Sequence, residues 1–246
     1  NHQSPIHNPH SIYVIFFNLL FKKIIIKINN YFIYFIKMSK KAKKEMDALK
    51  IITLGESGVG KTSIIRRYIH NIFDENNLST IGLNFSFKEM KVKNGDTINL
   101  KVIDTAGQEK YKSLAKSYFK NVDAVLFVFA LNKKETFDDI KNWIKLFDEN
   151  RIKSEIPRYL VGNKSDQNRD INDDLIEQFK NEYQDFKYYE TSAKSNDGID
   201  KLFQQLAEDL YSIVSKNRGR NNSQKNQMIS NYKKKKDKNN DCICAV

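Results

Sequence analysis

The sequence predicts an α/β fold: a six-stranded mixed sheet, mostly parallel with one antiparallel edge strand, flanked by five helices. Three observations lead there. From Leu49 to Ser215 short apolar runs alternate with stretches of helical periodicity, the pattern of a mainly parallel sheet with crossover helices. Two of those runs, 85–93 and 97–103, are joined through Asn94-Gly95, a hairpin signal that makes one edge strand antiparallel. Eight of the nine glycines (55, 58, 60, 82, 95, 107, 162, 198) fall at expected turns, and Pro157 is the only proline after Met38.

Strands are expected at 49–54, 85–93, 97–103, 124–130, 158–162 and 187–190, and helices at 61–71, 111–119, 134–150, 173–183 and 198–214. The first strand is the run Leu49, Ile51, Ile52, Leu54. In the last helix Ile199, Leu202, Phe203, Leu206, Leu210 and Ile213 recur at 3.6-residue spacing and form a core stripe. Phe137, Ile140, Ile144 and Phe147 do the same in the third helix, with Trp143 as a core residue beside them.

Residues 49–215 thus form one domain, with a lead-in at 38–48. The formal charge of +12 is concentrated at the ends: residues 1–37 carry four lysines and no acid, and residues 216–246 carry nine Lys/Arg against two Asp. The domain itself is close to neutral, which argues against a nucleic-acid-binding core and for a tail that seeks a negative surface. From Lys216 the apolar pattern gives way to Asn, Lys, Ser and Gln with Lys233 to Lys236 in a row, the composition of a disordered tail. The only cysteines, Cys242 and Cys244, lie in the last five residues, which excludes a disulfide framework and fits a reducing compartment. Residues 1–37 are rich in Ile, Phe, Tyr, Asn and Lys. Their longest clean apolar run, Ile12 to Phe21, is ten residues, well short of the roughly 18–20 a membrane span needs. The preferred expectation is translated upstream sequence with the start at Met38; the alternative is an amphipathic or targeting extension.

Chemistry concentrates in four loops. GESGVGKTS, Gly55 to Ser63 (Gly55, Glu56, Ser57, Gly58, Val59, Gly60, Lys61, Thr62, Ser63), has the form Gly-x-x-x-x-Gly-Lys-Thr between a strand and a helix. There backbone N–H groups and the helix's positive end bind phosphate, Lys61 reaches the β- and γ-phosphates, and the Thr62 hydroxyl coordinates magnesium. Asp104 in Asp104-Thr105-Ala106-Gly107-Gln108 is placed at a strand end to hold the metal through water, with the Gly107 N–H directed at the γ-phosphate. Asn163-Lys164-Ser165-Asp166 follows another strand end, where Asp166 accepts two hydrogen bonds from the donor edge of guanine. Adenine lacks that donor pair, so it would leave a buried carboxylate half-paired. Ser192-Ala193-Lys194 follows the last strand and aims the Ala193 N–H at the guanine 6-oxo group.

GESGVGKTS, STIGLNF, DTAGQEKY, GNKSD and ETSAK together resemble the Ras superfamily of small GTPases, and most closely its Rab branch, over residues 49–215 and the tail ending. The resemblance implies a fold binding GTP and GDP with Mg²⁺, and hydrolysis of GTP. By that likeness Thr80 closes over magnesium and the γ-phosphate, Phe73 packs on the guanine, the stem of Lys164 covers the base, and Gln108 orients the attacking water. Phe73 also suits ordinary core. The chain departs from the Rab pattern at Ile103, where Trp is usual, at Asn84, where Asp is usual, and in FALNKKETF, which replaces a Tyr-Asp pair; these bear on effector identity rather than on nucleotide chemistry. Ile243 stands fourth from the end, so a CaaX box is absent, and Cys242 and Cys244 resemble the Rab double-cysteine ending with two residues appended. That ending implies two geranylgeranyl groups, added by the Rab-type prenyl transferase with its escort, and the lysine run adds attraction to a cytoplasmic membrane surface. Further implied partners are a guanine nucleotide exchange factor, a GTPase-activating protein, effectors and a GDP-dissociation inhibitor, with a monomeric domain acting in vesicle trafficking. The competing classes are a non-cycling GTP-bound binding module, a small-molecule kinase with the same phosphate loop, and an integral membrane protein anchored by residues 1–37.

Overall fold

The computed structural model describes Lys27 and residues 48–75, 80, 82–106, 112–153 and 155–217, without the side chains of 112–115. The fold lies within the unit Ala48–Val246. In chain order it runs β1 (Leu49–Leu54), α1 (Lys61–His70), β2 (Leu83–Lys91), β3 (Thr97–Thr105), α2 (Lys112–Phe119), β4 (Ala124–Ala130), α3 (Lys134–Asp138), α4 (Ile140–Asp148), β5 (Arg158–Asn163), α5 (Asp173–Glu182), β6 (Phe186–Thr191) and α6 over 199–217. The six strands form one sheet in the order β2-β3-β1-β4-β5-β6. The β2–β3 pair is antiparallel and every other pairing is parallel, as the sequence predicts.

Because side chains alternate across a strand, the near-continuous apolar runs serve two cores at once. Ile51, Val102, Leu126, Val128 and Val161 face α1 and α6, packing on Ile64, Tyr68, Leu202, Phe203 and Leu206. Ile52, Leu54, Ile103, Phe127 and Leu160 face the other way, onto Phe119, Trp143, Phe147, Ile176 and Phe179. Each fully buried Leu, Ile or Phe contributes about 1.5–3 kcal/mol through lost water contact. Tyr68 stacks on Phe203 with centroids 3.7 Å apart, which fixes α1 against α6.

Three expectations are corrected. The third helix, expected unbroken over 134–150, divides at Asp139 and ends at Asp148. Its first turn is tied to the end of β4 by Thr136, whose Oγ1 accepts from the Ala130 N–H at 3.0 Å and donates to the Lys133 carbonyl at 2.7 Å. The hairpin strands are shifted to 83–91 and 97–105, because the Gly95 N–H closes on the Val92 carbonyl at 2.9 Å and takes residues 92–96 into the turn. Ile213 is 37% exposed rather than core. By that turn α6 has passed the hairpin, whose Lys93 N–H and Asn94 side chain are held by Glu208 and Tyr211.

Candidate functional site

The parallel order puts the C-terminal ends of β1, β3, β4, β5 and β6 along one rim, and the loops leaving β1, β5 and β6 converge there. They line a cavity of about 450 Å³ with Ser57, Gly58, Gly60, Lys61, Thr62, Ser63, Phe73, Thr80, Asn163, Lys164, Asp166, Ala193 and Lys194, all expected from the sequence. Asp74, Glu75, Thr105 and Gln167 also line it and were not expected. Gly107 and Gln108 lie outside the described residues, as do residues 1–26, 28–47 and the tail with Cys242 and Cys244.

The first loop turns on glycines that nothing larger can replace. Gly55 has φ +143, and a Cβ there would meet the Val128 carbonyl oxygen at 2.0 Å; at Gly60, with φ +97, it would meet Asn163 Nδ2 at 2.2 Å. This leaves a concave backbone at the N-terminus of α1, whose first-turn N–H groups lack helical acceptors and attract an anion. Gly55, Glu56 and Val59 therefore shape the loop from behind the cavity instead of lining it. Val59 is fully buried, and its carbonyl accepts from Asn163 Nδ2 at 2.8 Å. Glu56 Oε1 accepts from Trp143 Nε1 at 3.0 Å, so Trp143 is core and also steadies the loop.

Lys61 is 4% exposed and lies folded over the loop, its Nζ donating to the Gly55 and Glu56 carbonyls at 2.8 Å each. Burial pulls its ammonium down to about 8, against the opposing fields of Asp104 and Glu56. Burial likewise pushes the Asp104 carboxyl up, opposed by the Thr62 hydrogen bond and by Lys61. Both charges are thus held in a site that does not fully solvate them. Thr62 Oγ1 donates to Asp104 Oδ2 at 2.7 Å and lies 2.6 Å from Thr80 Oγ1. Asp104 Oδ1 is buried with no hydrogen-bond partner. Three hard oxygen donors in contact, one with an unused lone pair, suit a magnesium ion that keeps several of its waters.

At the far end of the cavity Asn163, 1% exposed, ties the loops together. Its Oδ1 accepts from Thr191 Oγ1 and from the Ala193 N–H, both at 3.3 Å, while its Nδ2 holds the phosphate loop. Ser192 is fully buried behind the cavity: its Oγ donates to Asp166 Oδ1 at 2.5 Å and accepts from the Ser195 N–H at 3.0 Å. The bond from Ser192 fixes the orientation of the Asp166 carboxylate, which lines the cavity. Lys164, in the left-handed region at φ +67, lies along the wall; burial and Lys133 lower its pKa. Phe73 is half-buried, lining the cavity and packing on the α1–α6 core. Sequence reasoning missed Arg67, whose Nε donates to the Ala193 carbonyl at 2.8 Å, because no local motif marks a contact across 126 residues.

A glycine-shaped loop at a helix N-terminus, a lysine folded over it, three oxygens for a hard cation and a fixed carboxylate in the same cavity define a nucleoside-triphosphate-binding protein. Residues 50–212 match the Ras family. Rab-13 of Rattus norvegicus is 33% identical over 199 residues, covering 80% of this chain and 95% of the relative. YPTC6 of Chlamydomonas reinhardtii is 36% identical over 182 residues (73% and 83%), and Rab-30 of Homo sapiens 35% over 170 (68% and 82%). The chain belongs to the Ras superfamily of small GTPases as a Rab-like member, and its reaction is hydrolysis of GTP to GDP and phosphate.

Proposed function

We propose that this protein is a membrane-anchored molecular switch in vesicle trafficking, alternating between GTP and GDP with Mg²⁺ bound. The observation that carries the reading is the single cavity in which Lys61, Thr62 and Thr80 line one end and Asp166, Lys164 and Ala193 the other. At the first end the N–H groups of Gly58 to Ser63 and the Lys61 ammonium bind the β- and γ-phosphates, whose negative charge compensates the buried ammonium. Thr62, Thr80 and, through water, Asp104 would hold magnesium, which neutralises charge developing on the phosphate oxygens. At the other end Asp166 accepts from the guanine donor edge, the Ala193 N–H exchanges its long 3.3 Å bond to Asn163 Oδ1 for the 6-oxo group, and Phe73 and the Lys164 stem flank the ring. The Gly107 N–H and Gln108 complete the site, Gln108 orienting the attacking water.

The tail from Lys216 serves as a basic tether with lipids on Cys242 and Cys244, and the domain acts as a monomer on a cytosolic membrane face. An exchange factor, an activating protein, effectors, a GDP-dissociation inhibitor and the Rab-type prenyl transferase with its escort are the partners, with no nucleic acid among them. Among the described residues no helix is long and apolar enough to cross a membrane.

Single-turnover release of phosphate from bound GTP tests the switch. Wild type should turn over on the order of 10⁻⁴ to 10⁻² s⁻¹ alone, and Gln108→Leu should be slower with nucleotide affinity nearly unchanged, because the glutamine acts on water and transition state. Equal rates in the two proteins, with and without an activating protein, would leave a static binder. Asp166→Asn should weaken GTP and improve xanthine nucleotide binding; equal affinity of wild type for ATP and GTP would refute the guanine assignment.

A further inference from the structure

Arg67 sits on the last turn of α1, half-buried, with its guanidinium between two segments that the sequence separates by more than a hundred residues. On one side Nε donates to the Ala193 carbonyl at 2.8 Å and Nη2 to the Lys194 carbonyl at 3.1 Å. On the other Nη1 donates to both the carbonyl and Oδ1 of Asn71 at 3.1 Å, and the guanidinium carbon lies 5.9 Å from the centre of the Phe73 ring. Asn71 is itself pinned in the left-handed region, φ 56, by its N–H to the Arg67 carbonyl at 2.9 Å. One side chain thereby fixes the carbonyl face of the 193–194 peptides and the start of the segment that carries Phe73. A second link between those segments, Lys194 to Glu75 at 2.6 Å, joins side chains 56% and 66% exposed, where water and salt weaken an ion pair.

We propose that Arg67 is a positioning residue for nucleotide retention: it locks the loop bearing the Ala193 N–H to the segment bearing Phe73, so that both flanks of the base must part together before nucleotide leaves. This rests on the guanine-nucleotide reading of the same cavity. Arg67 is not among the residues that line the cavity and acts through the 193–194 peptides and the Phe73 segment, so it governs release and leaves the hydrolytic step alone. A lysine cannot replace it, since a single ammonium does not reproduce the planar fork that reaches both segments at once.

The test uses the full chain loaded with a fluorescent GDP analogue and chased with excess GDP in magnesium. Arg67→Ala and Arg67→Lys should both release the analogue on the order of tenfold faster than wild type, the scale set by losing charge-assisted hydrogen bonds. Single-turnover hydrolysis of pre-bound GTP should stay within about twofold of wild type, while Leu210→Ala, a core change remote from the cavity, should lower the melting temperature without speeding release. Arg67→Lys carries the test if Arg67→Ala does not fold. Release at the wild-type rate in Arg67→Lys, or acceleration by Leu210→Ala matching that of the Arg67 variants, would overturn the role of Arg67 while leaving the guanine reading intact. Wild type that retains no guanine nucleotide would overturn both.

Discussion

The two ends of the same sheet handle buried charge in opposite ways. At the N-terminal ends of the parallel strands every charge named here is satisfied from within the chain. Arg158, 7% exposed, is gripped by Asp148 at 2.6 and 3.3 Å and by Asp185 at 3.3 Å, with its guanidinium 5.6 Å from the centre of the Phe186 ring. Asp123 accepts from the Lys50 N–H at 2.8 Å and from Lys153 Nζ at 2.5 Å, fastening the starts of β1 and β4. At the C-terminal ends Lys61 is satisfied only by carbonyls, Asp104 keeps an orphaned oxygen, and burial drives both toward their neutral forms. Polarity that is complete stabilises the fold; polarity left incomplete is a binding site waiting for charge from outside.

Removing a charge at each end should therefore give opposite results. Lys61→Met should cost the largest effect, on the order of 10³-fold in guanine-nucleotide affinity by equilibrium titration, as the buried ammonium and its phosphate contacts are lost together. The melting temperature of the nucleotide-free protein should be unchanged or higher, because the empty protein no longer buries a cation. A nucleotide-free variant that melts well below wild type would show that Lys61 is part of the framework, and the contrast would fail.

Arg158→Ala comes next, with binding spared and stability reduced. The loss should be about 2–3 kcal/mol by chemical denaturation, below the value for a fully buried pair because Asp148 and Asp185 are partly solvated. Nucleotide release from the folded variant should match wild type; a change there would mean that the two ends are coupled. The smallest effect is expected for Asp123→Asn. The amide oxygen can still accept from the Lys50 N–H, so only the attraction to the half-exposed Lys153 is lost, less than about 1 kcal/mol and diminished further by salt. A loss above 2 kcal/mol would show that the Lys153 pair is not a surface pair in energetic terms.

The sequence by itself determined the strand and helix order, the antiparallel edge at the Asn94-Gly95 hairpin, the core stripes of two helices apart from Ile213, and most of the cavity wall. It could do so because strand alternation, helical periodicity and the glycine-lysine-threonine loop are local patterns whose physics does not depend on distant residues. Tertiary structure decided what depends on distance. The third helix breaks at Asp139 because Thr136 is tied to β4, and Ile213 leaves the core because α6 outruns its partner surface. Which expected residues face the cavity was also settled there: Ser63 and Lys194 line it, while Val59 and Ser192 stand behind it and act through the Val59 carbonyl and the Ser192 hydroxyl. Trp143 was legible as core, but its bond to Glu56, like the bonds of Arg67 to the 193–194 peptides, had no signature, since the partners lie more than eighty residues away and only folding brings them together.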